Sequence, residues 1–445
     1  MKGKSRTLFL VDGEHHPSAI LDAVRELEEG EGLVPVGLFF LGGTEKVTDL
    51  TALSSPRWEL VVAGDLLGEL ATSIDRLRPE LVVDLSDLPV LDSETRLALA
   101  SVALAHGTTY RGADFEFRPP RREKILTGPS CAVIGTGKRC GKTAVSAELA
   151  RYLSGWGYRP VVVAMGRGGP PEPYLVEGKE VDGAYLLGEL SRGLHAASDH
   201  YEDALVTGVT TVGSRRCGGG MAGQPYVTNC AEAARLAEGL GMDAVIMEGS
   251  GSSIPPVETR GAICVISAAQ DPRDSLEYLG PYRILISDGV VITMAEEPFA
   301  DSHRVSSLRE RIKRIKDDIF IIETVFRPHP LKPIVGRKVF LAATAPPEAG
   351  TVLRNYLEKE TGCKVRGMSF SLADRRTLRR ELEEAGEAEL FLTELKAAAV
   401  DTVATYAVET GREVVYFHNR PVPVNPGESL EGFFRAVWER VLERT

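Results

Sequence analysis

Nine consecutive residues, Gly135-Thr136-Gly137-Lys138-Arg139-Cys140-Gly141-Lys142-Thr143, combine glycines, cations and a hydroxyl in an order suited to gripping phosphate. Phosphate oxygens need several backbone N–H donors converging on one point, and glycine lets the chain curl closely enough to supply them. Lys142 would place a point charge at the β and γ phosphates of a nucleotide, and Thr143 would offer its hydroxyl to magnesium. The common spacing leaves four residues between the two glycines, whereas five separate Gly135 from Gly141 here. Counting from Thr136 restores the register, with threonine in the first glycine's place. Lys138 and Arg139 are two cations more than the minimal loop needs, suited to neutralising charge that develops as a phosphoryl group moves. Lys142, Lys138 and Arg139 are therefore the candidate catalytic residues. Cys140 reads as a small residue tolerated inside the loop in preference to a redox switch.

Carboxylates and further cations recur beyond this loop. Asp243-Ala-Val-Ile-Met-Glu248-Gly-Ser-Gly ends an apolar run in Glu248, followed by glycines that leave room for a ligand. A carboxylate there can hold the magnesium that Thr143 touches, directly or through water. Asp182 is a further metal candidate on thinner grounds. Arg167, framed by glycines, could clamp an oxyanion in bidentate fashion. Arg215 and Arg216 head the glycine-rich stretch Ser214–Gly223, either a second anion cradle or a mobile lid. Near the amino terminus, Asp12-Gly-Glu-His15-His16-Pro17 suits anion binding or a structural turn better than a metal pair. Arg167, Arg215, Arg216 and His15 are the substrate-binding candidates.

The elements needed to position these residues alternate between strand and helix. Thr7–Val11, Val34–Phe40, Leu60–Ala63 and Leu81–Leu85 read as strands, with helices at Ser18–Glu29 and Ser93–Ala105. This pattern predicts a Rossmann-like unit over residues 1–125, ended by the linker Arg118-Pro-Pro-Arg-Arg. Ser130–Ile134, Val161–Met165 and Asp243–Met247 are continuous apolar strands. Each leads to a glycine (135, 166, 249) at its carboxyl side, where open α/β sheets bind their ligands. A helix over Thr143–Leu153 follows the loop directly and aims its positive end at the same point. Residues 126–290 thus form an ATP-binding unit of the P-loop NTPase type, built on a parallel sheet. A third α/β unit over 291–445 has strands at Phe320–Val325, Lys338–Ala342, Leu390–Thr393 and Val414–Phe417. Its helices fall at Gly350–Thr361, Arg375–Ala385 and Ala397–Thr410.

A chain of 445 residues is too long for a single ordinary core, and 43% hydrophobic with 26% charged residues is a globular composition. Six scattered cysteines without a CxxC pair argue against a disulfide framework or structural zinc. No apolar run is long enough to span a bilayer or act as a signal-peptide core, so a cytoplasmic location without membrane contact is expected. A net charge of −11 argues against nucleic-acid partners.

With these residues in place, the sequence resembles the cyclic 2,3-diphosphoglycerate synthetase family. The opening strand with Asp12-Gly-Glu-His, the nine-residue loop and the strand ending Met-Glu248-Gly-Ser-Gly carry the likeness, with the order of three units. The P-loop unit alone is similar to dethiobiotin synthetase, where Gly-Thr precedes Gly-Lys-Thr at this longer spacing. The resemblance implies an ATP- and Mg2+-dependent ligase that closes 2,3-diphosphoglycerate into an internal phosphoanhydride, releasing ADP and phosphate. Its partner is then a small anionic phosphorylated substrate, and a homodimer is allowed. Two other readings stay open: a dethiobiotin-synthetase-like ligase or small-molecule kinase for another acid, and a nucleotide-switch or metallochaperone NTPase. The last lacks the Asn-Lys-x-Asp run by which guanine switches read their base.

Overall fold

In the computed structural model, which describes residues 4–445, the β-branched runs of the amino-terminal part pair side by side. Strands β1 (Ser5–Val11), β2 (Leu33–Phe40), β3 (Glu59–Val62), β4 (Leu81–Asp84), β5 (Thr109–Arg111) and β6 (Glu116–Phe117) form one sheet in the order β3-β2-β1-β4-β5-β6. All pairings are parallel except β5 with β6. Helices α1 (Pro17–Glu31), α2 (Leu66–Leu77) and α3 (Ser93–Ala105) supply the crossovers. Helix α1 turns Ile20 and Val24 inward, where they join Phe9, Val11 and Leu38 in a shared core. The strand order reverses between β1 and β4, so the ends carrying Asp12 and Asp84 border a switch point. Residues up to Arg121, joined by Asp271–Ile286, make up this unit.

Residues Arg122–Gln270 and Ser287–Thr445 form a second unit around a 13-stranded sheet. Its strands are β7 (Ser130–Gly135), β8 (Pro160–Gly166), β9 (Tyr174–Val176), β10 (Thr210–Cys217), β11 (Val227–Thr228), β12 (Ala244–Glu248), β13 (Gly261–Ser267), β14 (Gly289–Thr293), β15 (Phe320–Pro330), β16 (Lys338–Ala342), β17 (Lys364–Ser369), β18 (Leu390–Glu394) and β19 (Glu413–Pro423). The order is β11-β10-β8-β12-β7-β13-β14-β15-β19-β18-β16-β17, with β9 paired to β10. From β10 to β15 every pairing is parallel, as it is from β19 to β17. The two halves meet at an antiparallel seam between β15 and β19. Both seam strands have 11 residues and change partners midway, which carries one sheet across the unit.

The central strands are buried along their whole length and largely apolar because helices cover both faces, as parallel sheets require. Helix α4 (Lys142–Gly155) follows β7 directly. It is buried almost all round in its first two turns, so its apolar residues show no one-sided pattern. Helices α5 (Gly183–Ser191) and α6 (Asp199–Thr207) lie between β9 and β10 in the chain, and α6 packs on α4, β8 and β10.

The carboxy-terminal elements differ in detail from the sequence expectation. The helix expected over Ala397–Thr410 is a π-turn at Ala399–Ala404 followed by an α-helix at Thr405–Thr410. The wider turn buries Ala399, Val400, Val403 and Ala404 in one core. Ser214–Cys217, expected to head a loop, completes β10.

Candidate functional site

The curl expected at 135–143 is present. Strand β7 ends at Gly135, and α4 begins at Lys142 with Gly141 as its cap. Gly141 has φ +97°, and a Cβ there would lie 2.2 Å from Phe326 Cζ. Only glycine satisfies both the turn and this contact. Strand β14 and the turn after β13 hold the loop from outside: Thr293 Oγ1 donates to Cys140 O at 2.7 Å, and Gln270 Nε2 to Lys138 O at 3.0 Å. Lys142 is buried, and its Nζ donates to Gly137 O at 2.9 Å, folded over the loop it would share with phosphate. Thr136 Oγ1 is buried without a partner. Lys138 and Arg139 are exposed at the tip, Arg139 with φ +62°.

Thr143 meets the carboxylate expected of it: its Oγ1 donates to Glu248 Oε1 at 2.7 Å. Glu248 ends β12, beside β7, and is 2% exposed, and its Oε2 has no partner. Facing it is Asp203 of α6, fully buried with both carboxylate oxygens unpartnered. Burial and then the charge of Glu248 push the Asp203 carboxyl well above its ordinary range. Burial and then the charge of Asp199 raise Glu248. Two facing buried carboxyl groups must share either a proton or a cation, and a cation can take the proton's place here. Among the described residues no three His, Cys, Asp or Glu side chains form a ready-made metal cage. A hard divalent ion bound by a hydroxyl, one or two carboxylates, phosphate oxygens and water needs no such cage. Thr143, Glu248 and Asp203 could hold it.

Asp203 carried no expectation from sequence. Its signal is the spacing Asp199, Glu202, Asp203, which puts three acids on one face of α6. Asp182, by contrast, caps α5: its Oδ1 accepts from Tyr185 N at 2.8 Å, and its side chain is exposed.

Three residues beyond Glu248 stands a cationic pair. Gly251 has φ +59°, and a Cβ there would lie 2.4 Å from Arg167 Nη2 and 3.0 Å from Arg216 Nη2. Arg216 donates through Nη2 to Ser250 O at 2.8 Å and through Nη1 to Gly218 O at 2.9 Å, while its buried Nε has no partner. Burial and then the neighbouring Arg167 charge depress the Arg216 pKa. Two guanidinium groups kept together with no carboxylate between them make a seat for an anion. Arg215 is exposed, and strand alternation turns it to the other face of β10. Its backbone N–H donates to Asn229 Oδ1 at 2.7 Å. His15 belongs to the other unit, where its Nδ1 lies 2.8 Å from the buried Asp12 carboxylate.

Residues 6–118, 130–325 and 330–420 match, in turn, the N-terminal, P-loop and C-terminal domains of cyclic 2,3-diphosphoglycerate synthetase. A protein of that name from Rubrobacter xylanophilus is 48% identical over 429 residues, 96% of each chain. Another from Methanothermus fervidus is 44% identical over 430 residues, 94% of each. Among solved structures, the hydrogenase maturation factor HypB from Archaeoglobus fulgidus aligns at 15% identity with a TM-score of 0.29, over 44% of this chain and 81% of its own.

Proposed function

The chain belongs to the cyclic 2,3-diphosphoglycerate synthetase family, and we propose that it joins the two phosphates of 2,3-diphosphoglycerate into an internal anhydride while ATP becomes ADP and phosphate. One observation supports this most. Glu248, hydrogen-bonded to Thr143 at the phosphate loop, and Gly251, against Arg167 and Arg216, are three residues apart. A chain can span no more than about 10 Å over that length. A nucleotide's terminal phosphate and a second, separately held anion therefore lie within reach of each other.

The chemistry follows from this adjacency. Neighbouring phosphates repel, so one must first be activated. An oxygen of one substrate phosphate attacks the γ-phosphorus, the bond to the β-phosphate oxygen breaks, and ADP departs. An oxygen of the second substrate phosphate then attacks the activated phosphorus, closing the ring and expelling inorganic phosphate. No enzyme nucleophile is needed, because positioning and charge neutralisation suffice. The loop amides and Lys142 grip the ATP phosphates, with Lys138 and Arg139 over the transferring group. Arg167 and Arg216 hold the substrate phosphates, with Arg215 as a further candidate; His15 is a separate anion-binding candidate within the amino-terminal unit. Magnesium, seated by Thr143, Glu248 and Asp203, would offset the charge of the β and γ phosphates when bound; Asp182 stays a more distant candidate for it.

The same reading keeps the cytoplasm as the setting and excludes nucleic acid as a partner, supported by the net charge of −11. Among the described residues no helix is long and apolar enough to cross a membrane. It is compatible with a homodimer and with functional divisions at 1–125, 126–290 and 291–445. Phosphorus NMR of the protein with Mg-ATP and 2,3-diphosphoglycerate tests it. A new anhydride doublet appearing in step with ADP is expected. ADP formation only with other acids would turn the reading toward a dethiobiotin-synthetase-like ligase or kinase.

A further inference from the structure

Helix α6 presents Asp199, Glu202 and Asp203 at positions i, i+3 and i+4, three acids on one side of nine residues. Asp203 faces Glu248, so like charges crowd the wall beside Thr143. One cation answers them from the far end of the chain. Lys396 Nζ donates to Glu202 Oε2 at 2.5 Å across 194 positions of sequence, and it feels the charge of Asp199 as well. Glu202 is buried, while the Lys396 side chain is 34% exposed.

The base of Lys396 is fixed. Its backbone N–H donates to Glu394 O at 3.0 Å, and Ala397 follows at φ +48°, a conformation alanine adopts only when its surroundings impose it. Glu394 is itself buried, accepting from Thr344 N and, at 2.8 Å, from Asn419 Nδ2. The segments after β16 and β18 and a residue of β19 thus converge behind one ammonium group. An ordinary surface lysine has no such support.

We propose that Lys396 is a positioning residue of the phosphate-transfer site: clamped to Glu202, it holds the acidic face of α6 against Thr143 and Glu248. The carboxy-terminal third of the chain therefore acts on the site through charge, without touching the transferred group. This inference rests on Thr143, Glu248 and Asp203 being the seat of a divalent ion. Removing Lys396 unties Glu202 from the segment after β18, so α6 is no longer held against Thr143 and Glu248, and it also leaves the Glu202 carboxyl buried without its cation, which destabilises the fold.

Mn2+ binding to the ADP-loaded protein, followed by electron paramagnetic resonance, tests it beside steady-state kinetics and melting temperature. Lys396→Met is expected to weaken Mn2+ about tenfold and to lower kcat similarly, with KM for ATP little changed. Lys396→Arg should recover most of both. The double variant Glu202→Gln/Lys396→Met removes both charges. It should regain the melting temperature while Mn2+ binding stays weak, and it carries the test should the single variant fail to fold. Wild-type Mn2+ affinity in Lys396→Met, or a double variant that regains Mn2+ affinity as well as stability, overturns the inference. Wild-type protein that binds no Mn2+ removes the ion seat itself, and this inference with it.

Discussion

Replacing Glu248 with glutamine separates ion binding from folding, because the two should respond in opposite directions. The amide keeps the shape and can still accept from Thr143 Oγ1, now 2.7 Å from Oε1. It also brings a donor to Asp203, whose two oxygens have none. Without metal, the change removes one of two facing buried carboxyls, each already raised above its ordinary pKa. One pKa unit of relief corresponds to about 1.4 kcal/mol. For a chain of 445 residues that raises the melting point by roughly 1–2 °C per kcal/mol. With metal, a full charge is lost beside the ion. Two unit charges about 4 Å apart interact by about 4 kcal/mol at an effective dielectric constant of 20. Dehydrating the ion offsets most of that. A net loss of about 10- to 100-fold in affinity, about 1.4–2.7 kcal/mol, is expected. Calorimetric titration of Mg2+ into the ADP complex, with melting curves at zero and saturating Mg2+, measures both terms. A variant that melts higher without metal and gains less from Mg2+ fits the account. Unchanged affinity, or a lower metal-free melting point, refutes the reasoning.

Other perturbations follow from the same geometry. Asp203→Asn should also raise the metal-free melting temperature and cut turnover by at least about tenfold, read by calorimetry and coupled ADP release. Arg216→Ala should raise KM for the phosphorylated acid by about 10- to 100-fold, the worth of a hydrogen bond to a charged group, and by more than Arg215→Ala does. Gly251→Ala forces alanine to φ +59° and a Cβ to within 2.4 Å of Arg167, so KM for the acid should rise while KM for ATP stays within about twofold. His418 supplies a pH test. Burial, and then the charges of Arg151 and Arg420, push its pKa down to about 3, against about 6.5 when unfolded. The unfolded chain takes up the proton first as pH falls, so the stability held by neutral His418 is present above pH 6.5 and lost toward pH 3. Between pH 7.5 and 5.5 the wild type should lose about 1.4 kcal/mol relative to His418→Gln in urea titrations.

What could be seen in the sequence was whatever local chemistry dictates. The loop at 135–143, its strand and its helix are set by neighbours within a few positions, and Glu248 stood out because glycines follow it. The helix over Gly350–Thr361 has the predicted bounds for the same reason. Asp203 was not legible, because acids at i, i+3 and i+4 look like a solvated helix face until α6 packs on α4, β8 and β10. Nor was the pairing of Arg167 with Arg216, which depends on β8 and β10 lying side by side. Lys396 is further still from legibility, since its partner is set by a sheet crossing from β15 to β19. The sequence also offers both Arg215 and Arg216, and only the register of β10 tells which of them turns toward Gly251.

The oxygen balance of the two-step reaction gives the sharpest test. If the substrate phosphate attacks ATP and is then displaced at phosphorus, the phosphate released must carry away one oxygen from the substrate. 2,3-Diphosphoglycerate labelled with oxygen-18 at its non-bridging phosphate oxygens, turned over with unlabelled Mg-ATP, should yield inorganic phosphate bearing a single heavy oxygen, seen by mass spectrometry. Inorganic phosphate containing no label, formed alongside the cyclic product, would contradict phosphoryl transfer to the substrate at this loop.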